Sequence, residues 1–533
     1  MAGWRFRWVW SIWLGLGAWP GTAAEISGDT FLRDARILSL RDALAVGLER
    51  NLDVQIEELA IPASREGVEI ERADFDPALE ATLFSEERKT PSSSSLTSGG
   101  FNINRETGGD VALRKKSVTG LDSRLSLAAS KTANNSRVDG LRPQYPSQLL
   151  LNLTQPLLRD FGAANTAAVR IAENAVEQSF YTYVDQAQRT AEEIELSYFQ
   201  LAEAVSTYQY RIESKNLGLK LLEGNQAKFA AGLAPISEVQ ETQTALAERD
   251  LALIAAQQVV ELAENRLKDL LEIREGDPLY REPLMPEAVP ELEPHIPSLE
   301  EALAVALQNR PDLKTQRLVI ENWALRLEYE KNQTLPRLDL LATLGLNGLS
   351  GTSRSSVNVG GTVTPPNPHT GDFPDTFGHL VEGDGLEWYV GLRVTYPLGN
   401  RAAEARFRRS NLQKTQAIYA LKNLEGRIET EVKNALVNVR RSMERVRVAQ
   451  EYERLAEISL EQEMQRFTEG TSDTFRILDF QDDVIEARIR KIIAMVDFHR
   501  GLANLYRANG MNLSRYGIEV GVDEEFLAIE GDN

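Results

Sequence analysis

The chain has 533 residues, no cysteine and a formal net charge of −20, with 42% hydrophobic residues and a mean hydropathy of −0.32. This acidic balance argues against a nucleic-acid partner, because there is no basic surplus to neutralise phosphates. The absence of cysteine excludes disulfides, thiolate metal sites and a lipid-bearing cysteine.

The N-terminal segment at 1–24 has the order of a secretory signal peptide. Arg5 and Arg7 precede an apolar run at 8–19, and small residues follow it. A membrane anchor is the alternative, but the run is short for a bilayer span. We therefore expect export, with cleavage near Ala24. No other apolar run is long enough for a membrane helix, so any membrane crossing would have to use strands.

A tandem duplication organises the rest of the chain. The segment SLRDALAVGL at 39–48 predicts a helix with a serine N-cap and an acid three residues later, and SLEEALAVAL at 298–307 repeats it. The predicted domains are a signal peptide at 1–24, a first repeat at 25–272, a proline-rich linker at 273–297, a second repeat at 298–510 and an acidic tail at 511–533.

Each copy contains two long predicted helices. In the first copy no proline occurs between Pro156 and Pro235, and apolar residues are separated by threes and fours, which is the helical period. One helix over 163–231 would be roughly 100 Å long. Pro235 or Ser237 is expected to start the return helix, with a capping box at 237–240. We expect an elongated protein.

The other long helices follow the same pattern. The return helix of the first copy carries a heptad stripe of apolar residues. The stripe consists of Leu246, Leu253, Val260 and Leu267, with Ala256, Ala263 and Leu270 between them. No proline follows Pro397, which allows a second pair of helices at 402–469 and about 474–508.

Each copy also contains two alternating segments that are typical of strands. They lie at 79–83 and 149–153 in the first copy, and at 338–346 and 388–396 in the second. The segments between them, at 89–147 and 349–386, are predicted to be long polar loops. Within the first loop, an alternating run at 121–129 could be a strand extension or a hairpin outside the barrel.

Strand length and alternation favour a sheet with lipid on one face, although a water-soluble sandwich gives similar alternation. Four strands cannot close a membrane barrel, since the smallest single-chain barrels use about eight. An open sheet in lipid would leave backbone groups unpaired. Transmembrane strands therefore predict an oligomer in which each subunit supplies part of the barrel and the long helices form a second tube. Such a shape indicates a conduit.

The turns between the long helices are the predicted sites of docking and gating. Gly232 and Gly470 suit the left-handed residue just past a helix end. Acidic residues follow the two turns: Glu238 and Glu241 in the first copy, and Asp473, Asp479, Asp482 and Asp483 in the second. Repeated around a ring, inward acids would favour cations. Each acid could instead stabilise a helix N-terminus or face water.

The chain resembles the TolC family of outer-membrane efflux proteins over about 37–510. The resemblance rests on the duplicated SLxxALxxAL-like opening and on Gln-Pro-Leu at 155–157 with Tyr-Pro-Leu at 396–398. It also rests on the Phe-x-x-Gly turns at 229–232 and 467–470. It implies a mostly helical fold with a transmembrane β part, in which a tandem-duplicated β-barrel and a long α-helical barrel are assembled as a homotrimer with twelve barrel strands.

The resemblance also implies partners and a location. The duct would lie in outer-membrane lipid, extend into the periplasm and meet a periplasmic adaptor and an inner-membrane pump or ABC exporter. It maps Gly232 and Leu233 to the adaptor contact, and the expected contact set is Phe229, Gly232, Leu233, Phe467 and Gly470. The expected pore constriction consists of Asp479, Asp473 and Arg476. Arg476, three residues before Asp479, departs from the family pattern of aspartates.

The leading prediction is therefore a passive exit duct for a tripartite pump or a type I secretion system, with no cofactor. A non-conducting periplasmic coiled-coil tether would share the helices but would not insert in a bilayer. A secreted enzyme is the third alternative. We predict no catalytic site, because the four histidines are scattered and no phosphate-binding Gly-Lys loop occurs. The histidines are His295, His369, His379 and His499.

Overall fold

The computed structural model of the chain describes residues 31, 35–93, 100–135, 139–290, 296–353, 367–383 and 385–518. The predicted signal peptide and most of the predicted acidic tail lie outside the described residues. The chain divides into two compact units. Unit 1 comprises 1–62, 177–317 and 419–533, and unit 2 comprises 63–176 and 318–418. Each unit takes segments from both sequence copies, and the boundaries of the two repeats remain a prediction.

The secondary structure alternates between helices and strands along the chain. The helices are α1 (Leu40–Arg50), α2 (Leu52–Arg72), α3 (Ala163–Ala230), α4 (Ile236–Leu270), α5 (Leu299–Asn309), α6 (Pro311–Gln333), α7 (Asp375–Glu382), α8 (Arg401–Thr468), α9 (Thr474–Ala508) and α10 (Asn512–Arg515). The strands are β1 (Arg36–Leu38), β2 (Ala78–Pro91), β3 (Phe101–Lys116), β4 (Asp122–Asn134), β5 (Leu141–Pro156), β6 (Leu284–Pro286), β7 (Arg337–Ser353) and β8 (Leu386–Thr395).

Four long helices confirm the predicted helix pairs. Helices α3 and α8 have 68 residues each, and α4 and α9 have 35 each. A helix of this length extends roughly 100 Å, because each residue adds about 1.5 Å. No helix in the described part of the chain combines the length and the apolar character that crossing a bilayer requires.

The core of unit 1 lies among α5, α8 and α9. Phe498 and Leu502 of α9 are buried against aliphatic side chains of α5 and α8, including Val432 and Val439. The duplicated opening forms the two predicted helices. Ser39 caps α1, and the N-cap of α5, Ser298, makes a complete capping box with its third residue.

Helix α4 differs from its prediction at two places. Pro235 is its N-cap, without a side-chain hydrogen bond, so the capping box expected at 237–240 is not formed. The heptad stripe is buried from Ala256 onward, whereas Leu246 and Leu253 are half-buried. A second apolar stripe, which the heptad pattern did not reveal, is exposed. It consists of Leu251, Ile254, Val259 and Leu262.

Unit 2 contains one antiparallel sheet of six strands in the order β2-β3-β4-β5-β7-β8. The prediction of a loop at 89–147 is therefore wrong, since about half of this segment forms β3 and β4 and its two ends belong to β2 and β5. The alternating run at 121–129 belongs to β4, which lies within the sheet. The sequence did not predict strand β3, because Gly108-Gly109 and several charged residues interrupt its apolar alternation.

One face of the sheet carries an apolar band that crosses every strand. A single register row joins Leu79, Leu113, Leu125, Leu151, Leu344 and Trp388 from β2 to β8. The opposite face is polar, because alternate residues point the other way. On that face Arg124 lies 3.4 Å from Glu80 and 3.9 Å from Asp110, and Thr343 donates a 2.9 Å hydrogen bond to Asn152. Within this band the alternation separates apolar side chains from charged ones, whereas toward the loop end the apolar face also carries the Glu87–Arg105 ion pair.

Helix α7 lies on the apolar face, near the loop end of β5 and β7. The Ser147 hydroxyl is 2.9 Å from the hydroxyl of Thr376 and 3.1 Å from its carbonyl oxygen. The second predicted loop, 349–386, therefore contains a helix and the end of β7, while its residues 354–366 lie outside the described residues. The rings of His369 and His379 also meet here, with centroids 5.3 Å apart. These two histidines are therefore not scattered.

We expect Gly348→Val to displace α7 from the sheet. A Cβ at Gly348 would lie 2.2 Å from the Thr376 carbonyl oxygen and 2.5 Å from the Ser147 hydroxyl oxygen. Relieving this overlap should cost about 1–3 kcal/mol. Hydrogen–deuterium exchange of the α7 amides should accelerate.

Gly378→Ala in α7 is the matched control, because nothing lies within 4 Å of its added Cβ. This control should leave exchange in α7 unchanged or slower, since alanine favours helix over glycine. Equal protection in wild type and Gly348→Val would contradict the placement of α7 on the sheet.

Candidate docking and constriction site at the helix turns

The turn between α3 and α4 is closed by a left-handed glycine. Gly232 has a φ of +72°, and the Leu233 amide donates a 2.9 Å hydrogen bond to the Lys228 carbonyl. This geometry satisfies helix-end carbonyls at a residue that has no Cβ penalty. It leaves Leu233 at the surface with 79% of its area exposed, and Phe229 is exposed beside it. The turn thus presents two apolar side chains to solvent.

The turn between α8 and α9 repeats this geometry. Gly470 has a φ of +74°, and the Thr471 amide donates a 2.9 Å hydrogen bond to the Arg466 carbonyl. Asp473 is the N-cap of α9, and its carboxylate accepts a 2.9 Å hydrogen bond from the Arg476 amide. Asp473 therefore has a local structural role, one of the alternatives left open by the sequence.

The two turns contact each other within unit 1. The Lys228 ammonium nitrogen lies 3.9 Å from the centroid of the Phe467 ring, which is a favourable cation–π distance. Phe467 is half-buried, whereas Phe229 at the matching position of the first turn is exposed. The duplicated Phe-x-x-Gly motifs therefore give the same turn but unequal phenylalanine environments.

A buried polar network connects three helices just behind the turns. The Asn225 amide donates to the hydroxyls of Thr242 at 2.9 Å and Thr474 at 3.1 Å. Thr474 in turn donates to the Glu238 carboxylate at 2.9 Å. Asn225, Thr242 and Thr474 are all at most 1% exposed. Because unpaired buried polar groups are costly, these bonds fix α3, α4 and α9 relative to one another.

The first turns of α9 present a charged surface. Ile477 and Leu478 are buried, while Arg476 and Asp479 point to the exposed side. Within the described part of the chain, no ion pair or side-chain hydrogen bond engages the Asp479 carboxylate or the Arg476 guanidinium. Phe475, which the sequence motifs did not indicate, lies between Thr474 and Arg476 and is 66% exposed. Both charges are thus available to solvent or to a ligand.

Asp482 differs from Asp479 because it joins two helices. Arg249 of α4 is buried, and it donates to Asp482 at 2.9 Å, to Gln481 at 3.2 Å and to the Ser214 carbonyl at 2.9 Å. Loss of solvation raises the pKa of Asp482, and the Asp479 charge adds to this rise, while Arg249 opposes it. Asp482 is therefore an interhelical partner.

Arg488, further along α9, joins three helices. It lies 2.7 Å from Glu213 of α3 and 2.7 Å from Glu457 of α8. Burial alone would lower the pKa of Arg488, but the hydrogen bonds to Glu457 and Glu213 raise it above its ordinary value. The guanidinium therefore remains charged and connects the first pair of long helices to the second.

All eight residues of the predicted site lie at or next to the two turns. Phe229, Gly232 and Leu233 form the first turn, and Phe467 and Gly470 form the second, followed by Asp473, Arg476 and Asp479. The sequence motifs did not indicate four further residues of this region: Asn225, Thr242, Thr474 and Arg249. The sequence pattern could have indicated them, because each is a polar residue at a helical spacing where the other residues are core side chains.

Long helix pairs joined by tight turns, together with an antiparallel sheet that is apolar on one face, are features of outer-membrane channels. The sequence profile of the outer membrane efflux protein family matches residues 123–271 and 302–511, more than half of the chain. The chain belongs to this family. Its location is the outer membrane, with an extension into the periplasm, and it has a role in efflux. The family consists of channel proteins rather than enzymes.

Solved structures of outer-membrane channels share the fold. The Campylobacter jejuni CmeC outer membrane channel is 17% identical, with 92% of this chain and 89% of that chain covered and a TM-score of 0.62. The Vibrio cholerae outer membrane protein VceC is 16% identical, with 88% and 96% covered and a TM-score of 0.58. Comparison with curated protein sequences finds no match. The predicted TolC-like fold is thus confirmed.

We expect Thr474→Val to loosen the turns. The substitution removes the hydroxyl that donates to Glu238 and accepts from Asn225, so a buried amide hydrogen loses its partner. The expected cost is about 1–3 kcal/mol. Amide hydrogen exchange at the starts of α4 and α9 should accelerate.

Thr471→Val is the control, because that threonine is exposed in the turn and its hydroxyl contacts only the Arg466 carbonyl among the described residues. Its effect should stay within about 0.5 kcal/mol. Equal effects of the two substitutions would mean that the buried network does not hold the turns.

Proposed function

We propose that the chain forms the passive exit duct of a tripartite efflux pump or a type I secretion system. In this proposal a homotrimer accepts substrate from a periplasmic adaptor and an inner-membrane pump or ABC exporter, and it releases the substrate outside. The observation that carries the proposal is the pair of rigid, matching turns at the ends of the long helices, each with side chains left for a partner. The chain itself contributes a path and no catalytic step.

Exposed apolar side chains support assembly into a homotrimer. The second stripe of α4, at 251–262, is exposed although its leucine, isoleucine and valine side chains are suited to burial. Leu412, Tyr419, Val437 and Val448 of α8 are exposed as well. Patches of this kind mark protein interfaces. Copies of the same chain arranged around an axis would cover them and would place the helices in a tube.

The turns supply the proposed adaptor contact. Leu233 projects from the first turn, and Phe229 lies beside it, while the glycine geometry and the buried network hold the backbone in place. Buried apolar anchors in a rigid frame contribute most of the energy in many interfaces. The contact set therefore remains Phe229, Gly232, Leu233, Phe467 and Gly470.

Asp479 is the proposed constriction residue. Its carboxylate has no ion-pair partner among the described residues, whereas Asp482 is engaged by Arg249 and Asp473 caps α9. Around a threefold axis, Asp479 and Arg476 would form adjacent rings of opposite charge. Such rings set the ion selectivity of a pore.

We expect Leu233→Asp to weaken capture by the adaptor at least tenfold without changing trimer mass. A charge in an apolar anchor position must be desolvated on docking, which opposes binding. Pull-down of the co-expressed adaptor by tagged variants would measure this loss. Leu219→Asp is the control, because Leu219 is also an exposed leucine but lies within α3, away from the turn. This variant should retain capture. Full capture by Leu233→Asp would remove the first turn from the contact.

We expect Asp479→Asn to lower the cation preference of single channels in planar bilayers and Arg476→Gln to raise it. Each substitution removes three like charges from a trimeric constriction, and the reversal potential in a salt gradient reports the change. Glu444→Gln is the control, because Glu444 pairs with Arg441 on the exposed side of α8.

Unchanged selectivity in both constriction variants would show that these residues do not line the narrowest point. A folded wild-type monomer that never inserts into a bilayer would favour the coiled-coil tether instead.

A further inference from the structure

The six-stranded sheet of unit 2 is open at two long edges. Strands β2 and β8 are its end strands, and they do not pair with each other. All 14 residues of β2 and nine of the ten residues of β8 are exposed. Leu83 at one edge is 91% exposed, and Trp388 at the other is 71% exposed. Long apolar edges of this kind pair with further strands or aggregate.

We propose that β2 of one copy pairs with β8 of the next, so that three copies with six strands each close a sheet of eighteen strands. The inference rests on the homotrimer of the proposed function. It adds to that proposal which strands pair between neighbouring copies, a contact called the seam below, and how many strands the barrel has. It departs from the twelve strands implied by the family resemblance. The difference arises from the hairpin β3–β4, which lies between β2 and β5.

Strand direction permits this closure. Every neighbouring pair in the sheet is antiparallel, so β2 and β8, at the ends of an even number of strands, run in opposite directions. When β8 of one copy meets β2 of the next, the seam is again antiparallel. Only closure satisfies the edge N–H and C=O groups in a lipid environment.

The side-chain pattern also continues across the seam. Leu79, Ala81 and Leu83 of β2 lie on the same face as the even-numbered residues of β8, which include Trp388 and Val390. Pairing the two edges therefore joins apolar side chains to apolar side chains on the lipid face. On the other face, Glu80 of β2 and Glu387 of β8 continue the polar lining.

The hairpin β3–β4 is an integral part of this sheet. Strand β3 pairs with β2 over the full length of β2, from Ala78 opposite Arg114 to Pro91 opposite Phe101. The side chains of Ser85 and Thr107 lie 2.9 Å apart across that pair. Moreover, Val111 and Leu113 of β3 and Leu125 and Leu127 of β4 lie on the apolar face. A hairpin projecting into water would leave these four residues exposed.

Closure with eighteen strands gives a wide outer exit. Strands spaced about 4.8 Å apart and tilted about 40° form a cylinder about 36 Å across between backbones, compared with about 24 Å for twelve strands. The larger circumference is supplied entirely by β3 and β4. Under this proposal the outer exit can pass wider cargo than a twelve-stranded barrel.

Cysteine cross-linking tests the seam directly, because the chain contains no native cysteine. Thr82→Cys is combined in turn with Glu387→Cys, Tyr389→Cys, Gly391→Cys or Arg393→Cys, which all lie on the polar face. At least one pair should form covalent dimers and trimers on a denaturing gel. A link within one chain is excluded, since five strand spacings of about 4.8 Å separate the edges. Thr82→Cys with Val390→Cys, on opposite faces, is the control and should not cross-link.

Strand counting by electron cryomicroscopy of the trimer in lipid nanodiscs provides the second readout. Eighteen strands, together with a cross-linked seam, support the inference. A trimer with twelve strands, in which β2 pairs with β5 and the hairpin lies outside, overturns the inference and leaves the proposed duct intact. A protein that does not form a trimer overturns the homotrimer of the proposed function and the seam with it.

Discussion

The structure of the sheet depends on one requirement: backbone N–H and C=O groups must find hydrogen-bond partners. The four interior strands of the sheet, β3, β4, β5 and β7, have two neighbours each, but β2 and β8 have one each. In water the open groups could bond to solvent, whereas in hydrocarbon each unpaired group costs several kcal/mol. A single copy of this chain therefore leaves one side of β2 and one side of β8 unpaired, and the proposed assembly would pair them. The apolar side chains on one face of the sheet add to this requirement without determining which edges meet.

At the helical turns, by contrast, most of the buried polar contacts are made within one chain. Asn225, Thr242 and Thr474 hydrogen-bond to one another behind the turns, and Arg249 connects α4 with α3 and α9. Because these bonds hold the helices together, the exposed residues of the turns are not needed for that role. Asp479 and Leu233 can therefore face a pore or a partner, whereas Asp473 and Asp482 contribute to the framework.

Much of the fold was predictable because the sequence contains regular periods. The three-and-four spacing of apolar residues predicts α3 and α8, and strict alternation predicts β5, β7 and β8. The alternation fails in β3, where Gly108-Gly109 pack against neighbouring strands and charged residues flank them. Helix α7 has eight residues, too few for a period to emerge, and it depends on tertiary contacts with Ser147 and Gly348.

The candidate site was predictable in position but not in detail. Glycine after a helical run locates both turns, because only glycine readily adopts the left-handed conformation. The separate roles of Asp473, Asp479 and Asp482 could not be predicted, since all three are acids within ten residues of the same turn. Their roles depend on which side of α9 each one occupies and on Arg249, which is more than two hundred positions away in the sequence.

The exposed stripe of α4 affects how the protein is made. Leu251, Ile254 and their neighbours are exposed in a single copy, and patches of this kind favour association. In the proposed homotrimer, association would bury that surface only in the folded state and would link stability to the concentration of subunits by mass action. Dilution or slow synthesis would then prolong the lifetime of the unassembled copy. In that assembly, the concentration of subunits would itself be a determinant of folding yield.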